Sequence, residues 1–156
     1  MRELTNKFAA YSRVVTCLVM TTLLLSCTNK KKTVNIQEIN RPLTLVRKAV
    51  EYSLTGGLLK MSRNNRVYFS KYHKPGTDLN QAPGTSLRRA QVIIAILNGR
   101  RPYIVEVAYR IEKYANGGFV LSHYDQGLAK RYRDLVDEYL ASRPEGGDLI
   151  DDFRVY

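Results

Sequence analysis

The clearest regular signal in the chain is the alternation of apolar and polar residues from Ala90 to Tyr114. AQVIIAIL runs into NGRRP and then YIVEVAYRIEKY, a hairpin pattern around Asn98-Gly99. A two-residue turn would pair Ala95 with Pro102, where proline has no N–H to donate, so a four-residue Asn-Gly-Arg-Arg loop is expected. The two registers differ by two. Both therefore set Val92, Ile94 and Ile96 on one face with Tyr103, Val105, Val107, Tyr109 and Ile111, and leave Glu106, Arg110 and Glu112 on the other.

The flanking segments carry helical and strand patterns. Leu43, Val46, Val50 and Leu54, with Ala49 and Ser53 beside them, recur at spacings of three and four. They predict an amphipathic helix that opens at Pro42, with Asn40 or Arg41 as cap, and stops at Gly56-Gly57. Leu58, Leu59 and Met61 are apolar without a clear period and predict neither state. Residues 66–73, RVYFSKYH, predict a strand that ends at Lys74-Pro75-Gly76. Residues 74–86 hold two Pro-Gly dipeptides and read as a long polar loop. After Ala115-Asn116-Gly117-Gly118, FVLSHY predicts a third meander strand, with an odd loop and glycine bulge bringing Phe119, Leu121 and His123 to the apolar face. Asp125 then caps a helix with Leu128, Tyr132, Leu135, Val136, Tyr139 and Leu140 as its stripe, closed by Arg143-Pro144. The fold class expected is α+β, a four-stranded antiparallel sheet with two amphipathic helices packed on one face.

The N-terminal stretch is of a different kind. Val14 to Leu25 is apolar apart from threonines, follows Arg2, Lys7 and Arg13, and ends at Thr28-Asn29-Lys30-Lys31-Lys32. It is shorter than the roughly 20 apolar residues a spanning helix requires and has the order of an export signal. Leu24-Leu25-Ser26-Cys27 resembles a bacterial lipobox, although Leu25 is bulkier than the usual residue at its place. The resemblance covers residues 1–27 and implies diacylglyceryl attachment to the Cys27 sulfur, cleavage before it and acylation of the new amine. Residues 1–26 would be the signal peptide, 27–40 the lipidated cysteine and a flexible tether, and 41–156 a single domain. Cys17 would leave with the signal, so no disulfide is expected in the mature chain. The bilayer is the first expected partner, since two or more acyl chains anchor stably. Thirteen extended tether residues would reach at most about 40 Å.

The formal net charge is +11. From Thr28 to Lys113 there are 17 Lys or Arg against 5 acids, and from Tyr114 to Tyr156 there are 5 against 8. Two arginine pairs stand out. Arg100-Arg101 lie at the hairpin turn and Arg88-Arg89 at its far end, roughly 35 Å away by strand rise. They are the candidate sites for an anionic ligand such as a cell-wall carboxylate or a lipid phosphate, with Arg63, Arg66, Lys71 and Lys74 near in sequence. A solvated cationic surface is the plainer alternative. Tyrosines beside arginines also suit nucleic acid, but most of the tyrosines fall on core positions and an exported lipoprotein meets little nucleic acid, so none is expected as a partner.

Candidate catalysis is thin. A mature body without cysteine excludes thiol catalysis and zinc–thiolate sites. His73 and His123 lie in no ligand or triad pattern, and a lone histidine beside a strand is ordinarily a core or turn residue. Glu145, Asp148, Asp151 and Asp152 match no calcium loop, and no glycine motif opens a helix as a phosphate cradle. No cofactor, no metal and no enzymatic activity are expected. The expected function is that of an outer-membrane lipoprotein facing the periplasm, docking another envelope protein through a sheet face or the 74–86 loop. The alternatives are an anionic-ligand binding module and an enzyme assembled from dispersed residues, such as His123 with Asp125.

Overall fold

The computed structural model describes residues 32–143. Cys17, Cys27, the lipobox-like tetrad and the acidic residues from Glu145 onward lie outside them. The described chain is α+β: β1 (Val34–Ile39), α1 (Leu43–Ser53), β2 (Leu58–Met61), β3 (Val67–Ser70), β4 (Arg88–Leu97), β5 (Tyr103–Ala115), β6 (Gly118–Tyr124) and α2 (Gln126–Ala141). The strands form one antiparallel sheet of six, in the order β1-β5-β4-β3-β2, with β6 also paired to β5. The long β5 takes two short partners on one side: β1 along residues 103–107 and β6 along residues 110–115.

The expected sheet of four becomes six through two strands. β2 is the apolar run whose state the pattern left open, paired to β3. β1 lies within the segment expected as tether; Val34 and Ile36 alternate with exposed Asn35 and Gln37 and pack on the core. A single alternating pair of apolar residues is too weak a local signal to separate an edge strand from a linker.

The hairpin core obeys the expected parity. Val92 pairs with Tyr109, Ile94 with Val107 and Ile96 with Val105, so all stand on one face. The connection is longer than the four residues expected, because Leu97 pairs with Ile104. That shift by a further two residues keeps every side chain on its face and leaves Pro102 outside the ladder. Asn98 takes a left-handed φ of 65°, and its side-chain amide donates to the Pro102 carbonyl at 2.8 Å.

These residues share one core cluster with Val46, Ala49, Val50 and Leu54 of the first helical segment and Ala129, Tyr132, Val136 and Leu140 of α2. The Tyr132 ring stacks on Tyr109 at 6.1 Å, and Tyr139 meets Tyr52 of α1 at 4.9 Å. Asp125 caps α2 as expected, its carboxylate accepting from the Leu128 N–H at 3.0 Å.

Residues 74–86 are held to this core. His73 pairs with Ala90 and is fully buried. Its Nδ1 lies 3.2 Å from the Lys71 carbonyl, which only accepts, so Nδ1 carries the proton and Nε2 accepts from the Tyr109 hydroxyl at 3.0 Å. The same hydroxyl accepts from the Gly76 N–H at 3.1 Å. Burial lowers the His73 pKa below its ordinary value, in keeping with a neutral ring. Leu79, buried in the loop, lies so close to Gly57 that a Cβ at that glycine would overlap it.

Candidate docking face

The second face of the sheet is set by the same ladder. Arg89 stands opposite Glu112 and Gln91 opposite Arg110, so these four side chains share a face away from Val92 and Tyr109. Arg88 stands opposite Lys113 on the other face. The Arg88-Arg89 pair is therefore not one patch: strand alternation sends the two guanidiniums to opposite sides of the sheet.

Glu112, with its side chain 9% exposed, joins the two arginines. One carboxylate oxygen accepts from Arg89 Nε at 2.7 Å, and the other lies 3.1 Å from Arg110 Nη2. Arg110 Nη2 also donates to Gln91 Oε1 at 2.7 Å and to the Tyr72 hydroxyl at 3.0 Å. The Gln91 amide in turn donates to the Ser70 carbonyl at 3.0 Å.

Two rings enclose Arg89, with Tyr72 at 3.8 Å and Phe119 at 4.0 Å from its guanidinium carbon. One ring is brought there by a bulge and the other by a tight turn. Phe69 pairs with Ile93, but His73 pairs with Ala90, so the β3 side carries one extra residue. In the gap the Ser70 hydroxyl accepts from the Val92 N–H at 2.9 Å and donates to the Lys71 carbonyl at 2.8 Å, replacing ladder bonds. The bulge turns Tyr72 to the second face and His73 into the core.

Phe119 arrives through a turn. Ala115 pairs with Gly118 across Asn116-Gly117, whose φ values of 53° and 83° are those of a two-residue hairpin turn. This corrects the expected odd loop. Phe119 pairs with Tyr114 and Leu121 with Glu112, on the second face, not the apolar one. A bulge beyond Leu121 then sets His123 opposite Ile111, where it remains exposed. Tyr114 meets the Phe119 ring edge-on at 5.4 Å and is 48% exposed, with Leu121 50% exposed beside it.

The other basic residues gather elsewhere. Arg66 donates from Nη1 to the Asn98 carbonyl at 2.6 Å and lies over the Tyr103 ring, at the hairpin-turn end with Arg100 and Arg101. The sequence neighbours Arg66 and Lys71 are thus separated by the sheet: Arg66 serves the turn end, and Lys71 the end that holds Tyr72. Arg100 is exposed, and Arg101 is half-buried.

His123 and Asp125 are each engaged separately, His123 Nδ1 with Ser122 Oγ at 3.2 Å and Asp125 with the helix cap. Among the described residues no group of three or more His, Cys, Asp and Glu side chains is placed to hold a metal ion, and no helix is long and apolar enough to cross a membrane. An open depression along α2, lined by Lys130, Arg131, Asp134 and Glu138, lies on the helix surface away from the arginine cluster.

Sequence reading named Arg89 but missed Glu112, Arg110, Gln91, Tyr72 and Phe119 as its companions. Arg-x-Gln on β4 crossing Arg-x-Glu on β5 was a usable signal once the hairpin register was known. Tyr72 had none, because it depends on a bulge; Phe119 had Asn116-Gly117, the residues of a two-residue hairpin turn, but the sequence reading took the other parity. The fold defines an α+β protein whose sheet carries an arginine–aromatic cluster. No protein-family model matches the chain, and no curated protein matches it.

Proposed function

We propose that the protein is a non-catalytic, lipid-anchored envelope lipoprotein that docks another envelope protein through the second face of its sheet. In this reading α1 and α2 cover the first face and leave the second to the partner, and Cys27 holds the domain to the bilayer, with the outer membrane's periplasmic surface as its site. The supporting observation is the Arg89 guanidinium fixed between Tyr72 and Phe119, next to exposed Tyr114 and Leu121. Arginine and aromatic residues on rigid strands are the chemistry of interface hot spots.

The anchor would hold the domain close. β1 begins at Val34, so six residues follow Cys27 before the sheet, a reach of about 20 Å at full extension. The test is site-specific photocrosslinking in intact cells, with the photoreactive residue at Leu121 or, as control, at Lys130 on α2. One discrete adduct from Leu121 and none from Lys130 is the expected result; equal adducts from both positions, or none from Leu121, refutes the reading.

A further inference from the structure

We infer that the Arg89–Arg110 cluster receives a carboxylate of the docked partner, carried on an acidic segment with an apolar or aromatic neighbour. The inference rests on the docking reading and adds its chemistry. The cluster has two guanidiniums and one carboxylate, and Glu112 spends one oxygen on each arginine. One positive charge is left over on a face where the arginine side chains are 26% and 28% exposed.

That charge is also geometrically prepared. Arg89 gives only Nε to Glu112, and its two terminal amino groups take no partner among the described residues. The Tyr72 and Phe119 rings fix the guanidinium plane, so little side-chain freedom remains to be lost on binding. A planar fork with two parallel N–H donors matches the two oxygens of a carboxylate.

Charge selects between ligands. A carboxylate brings one negative charge to a surplus of one. A phosphate monoester brings nearly two and would remain undercompensated here. The flank selects further: Tyr114 and Leu121 offer apolar surface directly beside the cluster, suited to a side chain next to the acid in a peptide. Lys113 and Arg88, on the opposite face, take no part.

The probe is a dye-labelled peptide, acetyl-Gly-Asp-Phe-Asp-Leu-Gly-amide, titrated against the full-length protein in neutral detergent micelles. Its comparators are the same peptide with both acids replaced by asparagine, and inorganic phosphate as competitor. The acidic peptide should bind saturably, and the asparagine peptide about tenfold or more weaker. R89Q should reduce acidic-peptide binding by a similar factor and R88Q should leave it intact, with R89K retaining only part of it because an ammonium lacks the planar fork. The R89K measurement keeps the test decisive if R89Q proves misfolded.

Equal binding of both peptides, competition by phosphate at least as strong as by the acidic peptide, or equal losses in R88Q and R89Q overturns the carboxylate assignment. A discrete crosslink through Leu121 without acidic-peptide preference overturns this inference alone and leaves docking standing. Acidic-peptide preference without any Leu121 adduct refutes docking in cells while the cluster's ligand chemistry stands.

Discussion

Tyr68 and Tyr109 are both buried phenols on the core face, 0% and 1% exposed, and differ in what their hydroxyls meet. The Tyr109 hydroxyl joins Gly76 to His73, whereas the Tyr68 hydroxyl has no hydrogen-bond partner among the described residues. Burial pushes the Tyr68 phenol up to about 12, so it stays protonated and uncharged throughout the physiological range. The same substitution should then have opposite signs. Y109F leaves the buried His73 Nε2 unpaired and frees the Gly76 N–H, and should destabilise by about 2 kcal/mol in urea unfolding, while Y68F should be neutral or stabilising by up to about 1 kcal/mol. His73 adds a pH dependence. Its pKa is lowered by burial, so stability is full above the ordinary value of 6.5 and declines as pH falls below it. There the unfolded chain takes up a proton that the folded chain excludes, with a slope of up to about 1.4 kcal/mol per pH unit. Urea midpoints across that range check it, and H73Q should flatten the dependence. At this scale the sequence reading of His73 as an ordinary core or turn histidine matches the structure, but its ring partner was illegible because Tyr109 lies 36 residues away along the chain.

At the scale of elements, the β5–β6 turn decides the candidate site. Two left-handed residues, Asn116 and Gly117, close the hairpin in two positions and thereby send Phe119 to the Arg89 face. Gly117→Val forces a branched side chain into a positive φ and should cost about 1–2 kcal/mol in thermal or urea unfolding. Because the turn holds Phe119 in register, the same variant should weaken acidic-peptide binding while N-cap removal should not. Asp125→Ala, which strips the cap from α2, should cost about 1 kcal/mol and leave the second face unaltered. Helix stripes and strand alternation were legible because each is a repeat along one backbone. The β6 register was not, since Asn-Gly-Gly permits turns of either parity and only the pairing of the whole strand selects between them.

For the whole molecule, the position of β1 changes how the anchored protein would stand. A 13-residue tether was expected, and the sheet absorbs residues 34–39. Cys27→Ala should leave the chain unlipidated and uncut, read by mass spectrometry of its N-terminus, with loss of partition into detergent phase. An unmodified Cys27 in an uncut wild-type chain would refute the anchor. The sequence by itself determined the two faces of the central hairpin, the two helical stripes and the α2 cap, since side-chain direction alternates along any strand and recurs along any helix whatever surrounds it. Only the tertiary structure decided that pairing with β5 carries β4 back through Arg88 and Arg89, that a bulge turns Tyr72 outward, and that Phe119 closes over Arg89 from the other side. Those outcomes depend on which strands pair and where one residue is left over, and that balance is struck between segments distant in sequence.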